Sequence, residues 1–164
     1  TPLSPFKQEQ AISPVDIRIE MLQAAIGGNP QFVLSRIDID RPPPYFAADS
    51  VCFLKAENPD HKWFYLLGGD SLWDLPTWHE PHRLLDACTA IGVLRRPGTE
   101  LNLEHLYPTL PELRAKLLWI EAPLLDISAS RIRDLVRTGG AYRYYLPPAV
   151  HEIIQKYHLY RSGE

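Results

Sequence analysis

WFYLLGGD, residues 63–70, is the stretch that decides the fold prediction. It is a short, continuous apolar run ending in two glycines and an aspartate. Such a run is typical of a central parallel strand that is buried on both faces. Two similar runs follow, TAIGVL at 89–94 and LLWI at 117–120. Upstream, FVLSRIDID at 32–40 becomes alternating and predicts a fourth strand.

Helical signals lie between and around these runs. Ser13-Pro14 favours a helix start, because serine is a good N-cap and proline loses no hydrogen bond at the first helical position. Further helices are predicted at 47–57, 71–75, 81–87, 126–138 and 147–159. Strands alternating with helices predict an α/β fold: a Rossmann-like, doubly wound, mostly parallel sheet in three α/β/α layers, followed by C-terminal helices. Ligands bind such sheets beyond the carboxyl ends of the strands.

Composition limits the kinds of partner. The 164 residues suit a single domain, and the net charge of −3 argues against a nucleic-acid partner. No apolar stretch approaches the roughly 20 residues of a membrane span. Cys52 and Cys88 each lie in an apolar run, which favours reduced, buried thiols in a cytoplasmic protein.

ISASRIR at 127–133 is the best signal for a ligand. It places two hydroxyls at a helix start, where free backbone N–H groups and the positive end of the dipole favour anions. Ser130 could cap the helix or donate to a phosphate oxygen. Arg133 returns to the same face three residues later and could clamp a phosphate with two hydrogen bonds. Spacing alone, however, favours a plain capped helix with surface arginines.

This segment resembles the ISxTxIR-type motif of the nucleotidyltransferase superfamily that also carries HxGH, in which the motif binds the ATP triphosphate. Other segments match the nicotinate-nucleotide adenylyltransferases of that superfamily in the same order along the chain. They are SPFK at 4–7, RIEML at 18–22, RPPPYFAADS at 41–50, LGGDSL at 67–72 and YLPPAV at 145–150, with YHLY at 157–160. The resemblance covers essentially the whole chain.

The resemblance implies transfer of AMP from ATP to nicotinate mononucleotide, giving deamido-NAD and pyrophosphate, with Mg²⁺ carried on the triphosphate. It implies one domain over residues 1–164, with the phosphate-binding motif and C-terminal helices in 126–160. It assigns ATP contacts to Ser128, Ser130, Ile132, Arg133, Gly68 and Asp70, and acceptor contacts to Lys7, Phe46, Ala47, Trp78 and Arg96. The partners are these small molecules, with a homo-oligomer left open. No metal ligands are assigned, and the six histidines are interpreted as surface or packing residues.

Simpler interpretations accompany several of these residues. Asp70 could cap the next helix, Trp78 could be a core aromatic, Lys7 could be a solvated loop lysine, and Arg96 could form a surface ion pair.

The chain also departs from the family pattern. Nothing in it resembles the family's GxFDPxHxGH loop, so no catalytic residue is assigned, and we expect a strand–helix segment to precede residue 1. Phe6, Pro43 and Ala47 replace the family's histidine, glycine and threonine. Two alternatives follow. One is a non-catalytic nucleotide-binding relative or truncated fragment. The other is a sister nucleotidyltransferase with another phosphate acceptor, such as phosphopantetheine, although Trp78 and residues 41–50 favour a pyridine nucleotide.

Overall fold

The computed structural model describes residue 2 and residues 13–95, 103–123, 125 and 127–161. The helices are α1 (Val15–Ile26), α2 (Ala47–Glu57), α3 (Gly69–Trp73), α4 (Pro81–Ala87), α5 (Leu113–Lys116), α6 (Ala129–Thr138) and α7 (Pro148–Lys156). The strands are β1 (Phe64–Gly68), β2 (Ala90–Arg95) and β3 (Leu117–Glu121), and short 3-10 turns occur at Leu75–Thr77 and Arg143–Tyr145.

The three described strands form one parallel sheet in the order β1-β2-β3. Leu66 pairs with Gly92, and Gly92 pairs with Leu118, so the strands lie in step and end at the same edge. The predicted α/β fold with a parallel sheet is confirmed. Among the strands that the structure describes, β2 is central and β1 lies at an edge, whereas the sequence predicted a central strand at residues 63–67.

The two faces of the sheet differ in exposure. Leu67, Ile91 and Val93 are buried on one face, whereas Phe64 and Leu66 on the other face are 50% and 60% exposed. Successive strand residues point to opposite faces, so only every second apolar residue reaches the described core. The prediction that this strand is buried on both faces was therefore wrong for the described residues.

The described residues divide into two compact units, each with its own core. Unit 1 comprises residue 2 and residues 37–95 and 103–123. Its core joins the sheet to α2, α3 and α4 through Val51, Leu72 and Leu84. Unit 2 comprises residues 13–36, 125 and 127–161, and α1, α6 and α7 pack around Ile132 and Ile154. None of the described helices is long and apolar enough to cross a membrane.

The cysteines lie in unit 1 and are not disulfide-bonded. Cys88 is buried and Cys52 is half-buried, so the predicted burial holds fully for Cys88 only. Burial raises the pKa of the Cys88 thiol, which keeps it in the neutral form at physiological pH. A neutral, buried thiol is a packing group rather than a nucleophile.

Most helix predictions are confirmed, with shifts at the ends. The helices at 47–57 and 81–87 have the predicted bounds, while the first, sixth and seventh helices are shorter than predicted. Ser13 does not cap α1, because Pro14 is the N-cap and no side chain caps this helix. The helix expected at 71–75 is α3, which begins two residues earlier, and α5 was not predicted.

The strand predicted at 32–40 is absent, since these residues form turns and irregular structure. Phe32 and Val33, which the pattern would have placed in a sheet, are 61% and 86% exposed. The alternating end of the segment is instead held by a polar contact. The Asp38 carboxylate accepts hydrogen bonds from Arg41 and Ser50, which ties the segment to α2.

Candidate functional site

The start of α6 carries the predicted phosphate motif. Ser128, in extended conformation, is the N-cap, and its Oγ accepts a hydrogen bond of 3.2 Å from the Arg131 N–H. Ser130 lies in the first turn, and its Oγ is 3.0 Å from that of Ser128. The capping role considered for Ser130 therefore belongs to Ser128. The Ser130 hydroxyl, which is exposed, is left at the helix start where it can donate to an anion.

Two arginines follow immediately. Arg131 and Arg133 are both exposed, and neither guanidinium forms a hydrogen bond or ion pair with a described residue. The first turn of α6 contains no acidic residue. Arg131 lies in the first turn of the helix, where a cation opposes the helix dipole by roughly 0.3–1 kcal/mol. A bound anion would relieve this repulsion, so the arrangement suits a phosphate better than an empty surface.

Ile132, also assigned to ATP, has its side chain in the core of unit 2, with 9% exposed. Its backbone N–H donates to the Ser128 carbonyl at 3.0 Å, so it is already engaged in the helix. Its contribution to the site is to anchor α6. A shallow pocket beside the helix start is lined by Ile127, Ser128, Arg131, Ile132 and Tyr145.

The carboxyl end of β1 carries the second predicted group. Gly68 ends the strand and is also the N-cap of α3, and no side chain caps that helix. The capping role considered for Asp70 is therefore wrong. A Cβ at Gly68 would lie 2.7 Å from the Asp70 Oδ1 atom, so the carboxylate occupies the space above the glycine. A side chain at position 68 would therefore displace the Asp70 carboxylate from the strand end.

The start of α2 is the third group. Phe46 is the N-cap in extended conformation, and Ala47 is the first helical residue. No side chain caps this helix, so the N–H groups of its first turn point out of the helix without a side-chain acceptor. The Arg41 guanidinium donates to the Pro44 carbonyl at 2.7 Å and to Asp38 at 2.9 Å, which fixes the loop that precedes the helix.

Trp78 follows the 3-10 turn at Leu75–Thr77. Its ring is half-buried, packs against the core of unit 1 and contacts Tyr65 edge-on, with centroids 6.0 Å apart. Burial raises the pKa of the Tyr65 hydroxyl. These are the contacts of a core aromatic, and the stacking of Trp78 on a pyridine ring stays a prediction.

His79, interpreted from the sequence as a surface or packing residue, faces the predicted acceptor residues. Its imidazole stacks on the Phe46 ring, with centroids 3.9 Å apart and planes 25° apart. The backbone of Trp78 is extended, so neighbouring side chains point to opposite sides and His79 points away from the core. This placement could have been predicted, because His79 directly follows Trp78, and neighbouring side chains on an extended backbone point to opposite sides.

Residues 2–135 match the model of the cytidylyltransferase-like family. The chain is 41% identical over 160 residues to a probable nicotinate-nucleotide adenylyltransferase of Thermomicrobium roseum, covering 98% of this chain and 74% of that protein. It is 38% identical over 157 residues to a protein of the same name from Roseiflexus castenholzii, covering 96% and 78%. The chain belongs to the nicotinate-nucleotide adenylyltransferase family. It is therefore a member of a nucleotidyltransferase family, as the resemblance predicted.

A solved structure supports the fold of this adenylyltransferase family member. The nicotinic acid mononucleotide adenylyltransferase of Plasmodium falciparum, complexed with NaAD, matches with a TM-score of 0.72 at 20% identity. The match covers 94% of this chain and 78% of that chain. At this identity the likeness bears on the fold alone.

The predicted site residues divide between the two units. Phe46, Ala47, Gly68, Asp70 and Trp78 lie in unit 1, and the residues of α6 lie in unit 2. Lys7 and Arg96 lie outside the described residues. Within the part of the chain that the structure describes, no group of three or more His, Cys, Asp or Glu side chains could hold a metal ion.

Proposed function

We propose that the protein transfers AMP from ATP to nicotinate mononucleotide, producing deamido-NAD and pyrophosphate, as a cytoplasmic enzyme with one nucleotidyltransferase-like domain over residues 1–164. The observation that carries the proposal is the start of α6. There a serine-capped helix presents two arginines with no partner among the described residues, in a chain that belongs to the adenylyltransferase family.

The ATP phosphates are proposed to bind at α6. The helix supplies backbone N–H groups, the Ser130 hydroxyl supplies a further donor, and Arg133 supplies charge-assisted hydrogen bonds. Ser128 sets the direction of the helix start by capping it, and Arg131 adds a second charge. Gly68 and Asp70 are proposed to contact the nucleotide at the end of β1, where ligands bind parallel sheets. Mg²⁺ is proposed to be bound by the triphosphate of ATP rather than by protein carboxylates.

The acceptor is proposed to bind at α2. The uncapped first turn, beginning at Ala47, offers backbone N–H groups to the nicotinate carboxylate, and the helix dipole favours that negative charge. Backbone donors do not depend on the side chain, so alanine in place of the family's threonine removes one hydroxyl and keeps these donors. Trp78, Lys7 and Arg96 are proposed as further acceptor contacts.

In the proposed reaction an oxygen of the acceptor's phosphate attacks the α-phosphorus of ATP in line. The bond from the α-phosphorus to the bridging oxygen breaks, and pyrophosphate leaves with the electron pair. No covalent intermediate with the protein is required. The protein's contribution is then to hold the two phosphates in line and to stabilise developing negative charge.

The test is product formation. The protein is incubated with Mg²⁺-ATP and nicotinate mononucleotide, and both pyrophosphate and deamido-NAD are measured. Parallel reactions contain nicotinamide mononucleotide, phosphopantetheine or no acceptor. We expect products with nicotinate mononucleotide and none without an acceptor. Turnover with phosphopantetheine alone would show a sister enzyme, and nucleotide binding without any turnover would show a non-catalytic relative.

A further inference from the structure

The start of α2 carries a negative charge of its own, beside the N–H groups proposed to hold the acceptor's carboxylate. Asp49 is the acidic residue in the first turn of this helix. The helix dipole stabilises a carboxylate at this position, but two carboxylates near the same helix start repel each other. Nicotinate mononucleotide brings a second carboxylate on its ring, whereas nicotinamide mononucleotide brings a neutral amide. Asp49 by itself would therefore favour the amide.

Arg83 offsets the charge of Asp49. Its guanidinium donates one hydrogen bond of 2.7 Å to Glu80 and another of 2.8 Å to the Asp49 carboxylate. These hydrogen bonds, first that to Glu80 and then that to Asp49, raise the pKa of the Arg83 side chain, which stays charged. Glu80 also lies 3.5 Å from the His79 imidazole, which is charged only when it is protonated. One guanidinium between two carboxylates halves the negative charge of the cluster.

The position of Arg83 is unfavourable for its own helix. Arg83 lies in the first turn of α4, where a cation opposes the helix dipole. Its bond to Asp49 compensates for this repulsion and joins the first turns of α2 and α4, two helices that pack together in unit 1. The Arg83 side chain is 43% exposed, so it is not a core anchor. The arrangement suits a charge that acts on a ligand at the start of α2.

We propose that Arg83 is a specificity-determining residue, which allows the start of α2 to prefer nicotinate mononucleotide over nicotinamide mononucleotide. It acts by offsetting the Asp49 charge in the helical turn that receives the acceptor's carboxylate, and it needs no direct contact with the ligand. The inference rests on the proposed function, because it assumes that this helix start binds the acceptor. Solvent screens an exposed pair, so the expected effect is a few-fold change in affinity.

The test measures the Kd values of both mononucleotides by isothermal titration calorimetry. The preference is the Kd of nicotinamide mononucleotide divided by that of nicotinate mononucleotide. Arg83→Gln should lower it by roughly two- to fivefold, the size expected for one screened charge about a helical turn away. Asp49→Asn removes the opposing charge and should raise the preference by a similar factor. The double variant has the net charge of the wild type, so its preference should return towards the wild-type value.

A merely structural role would give a different result. Loosening the contact between α2 and α4 would weaken both mononucleotides alike, because they differ only in the carboxylate or amide, and the preference would not change. Arg83→Lys keeps the charge and should keep the preference. Arg114→Gln makes the same change in net charge at an ion pair with Glu104 and should have no effect on it. An unchanged preference in Arg83→Gln would overturn the proposal.

The two proposals can fail separately. If the wild type forms deamido-NAD but Arg83→Gln keeps the full preference, this inference is wrong and the enzyme assignment stands. If the preference changes as expected but no product forms, the start of α2 binds the acceptor and the enzyme assignment is wrong. If neither mononucleotide binds, both proposals are overturned.

Discussion

The starts of α6 and α2 are the same backbone feature in two different surroundings. At α6 a serine caps the helix, and the nearby cations Arg131 and Arg133 have no partner among the described residues. At α2 no side chain caps the helix, and the nearby cation Arg83 is paired with Asp49 and Glu80. The first arrangement suits a highly charged ligand, and the second suits a singly charged ligand with an aromatic ring.

This difference teaches that a helix N-terminus alone does not specify a ligand. Its N–H groups and dipole attract any anion. The neighbouring side chains decide whether that anion is a triphosphate or a carboxylate attached to a ring. Four substitutions, each aimed at one side of the comparison, test this view.

Arg133→Ala should have the largest effect. Loss of a charge-assisted contact should weaken ATP binding by about 1.5–3 kcal/mol. The matched control is Arg137→Ala, in the last turn of the same helix, where the guanidinium pairs with Asp134. Isothermal titration calorimetry measures both variants. An unchanged ATP affinity in Arg133→Ala would remove the phosphate role of this residue.

Ala47→Pro should weaken binding of nicotinate mononucleotide by roughly tenfold, about 1.4 kcal/mol. Proline is tolerated at the first helical position, and the extended Phe46 is compatible with a following proline, so the helix keeps its start and loses one N–H donor. Val15→Pro makes the same change at the first position of α1 and controls for stability. Equal affinity in Ala47→Pro would exclude this donor from the site.

Ser128→Ala should lower the free energy of unfolding by about 1 kcal/mol, because it removes the cap that accepts from Arg131. Ser130→Ala keeps that cap and should change the free energy of unfolding by less than about 0.5 kcal/mol. Urea denaturation distinguishes the two. A larger loss in Ser130→Ala would show that the capping roles are reversed.

Gly68→Ala should have the smallest effect on stability, below about 0.5 kcal/mol, since the added methyl group meets only the flexible end of Asp70. The carboxylate must turn away, so ATP affinity should fall as much as in Asp70→Asn. Gly28→Ala, where the added Cβ meets nothing within 4 Å, is the control. If ATP affinity is unaffected in both Gly68→Ala and Asp70→Asn, these residues lie outside the nucleotide site.

The sequence predicted the parts of the fold whose signals are local. The helices at 47–57 and 81–87 have the predicted ends, because the prolines and turn residues beside them lie in the same short windows. The prediction of a strand at 32–40 was wrong, because alternation indicates a strand only where a neighbouring strand pairs with it. There, a long-range contact of Asp38 with Ser50 determines the path of the chain.

The candidate site, like the fold, was predictable only where its signals are local in the sequence. The motif at 127–133 correctly marked a helix start, but the choice between Ser128 and Ser130 as the cap depends on one backbone boundary. His79 was missed because its partner Phe46 lies more than thirty residues earlier. Only the folded chain brings the two rings together.

The most direct test of the central claim is a crossed binding measurement. The Kd values of ATP and of nicotinate mononucleotide are each measured for Arg133→Ala and for Ala47→Pro. If α6 serves the triphosphate and α2 serves the acceptor, the first variant should weaken ATP alone and the second should weaken nicotinate mononucleotide alone. Equal weakening of both ligands in either variant, or no weakening at all, would contradict the assignment of the two helix starts.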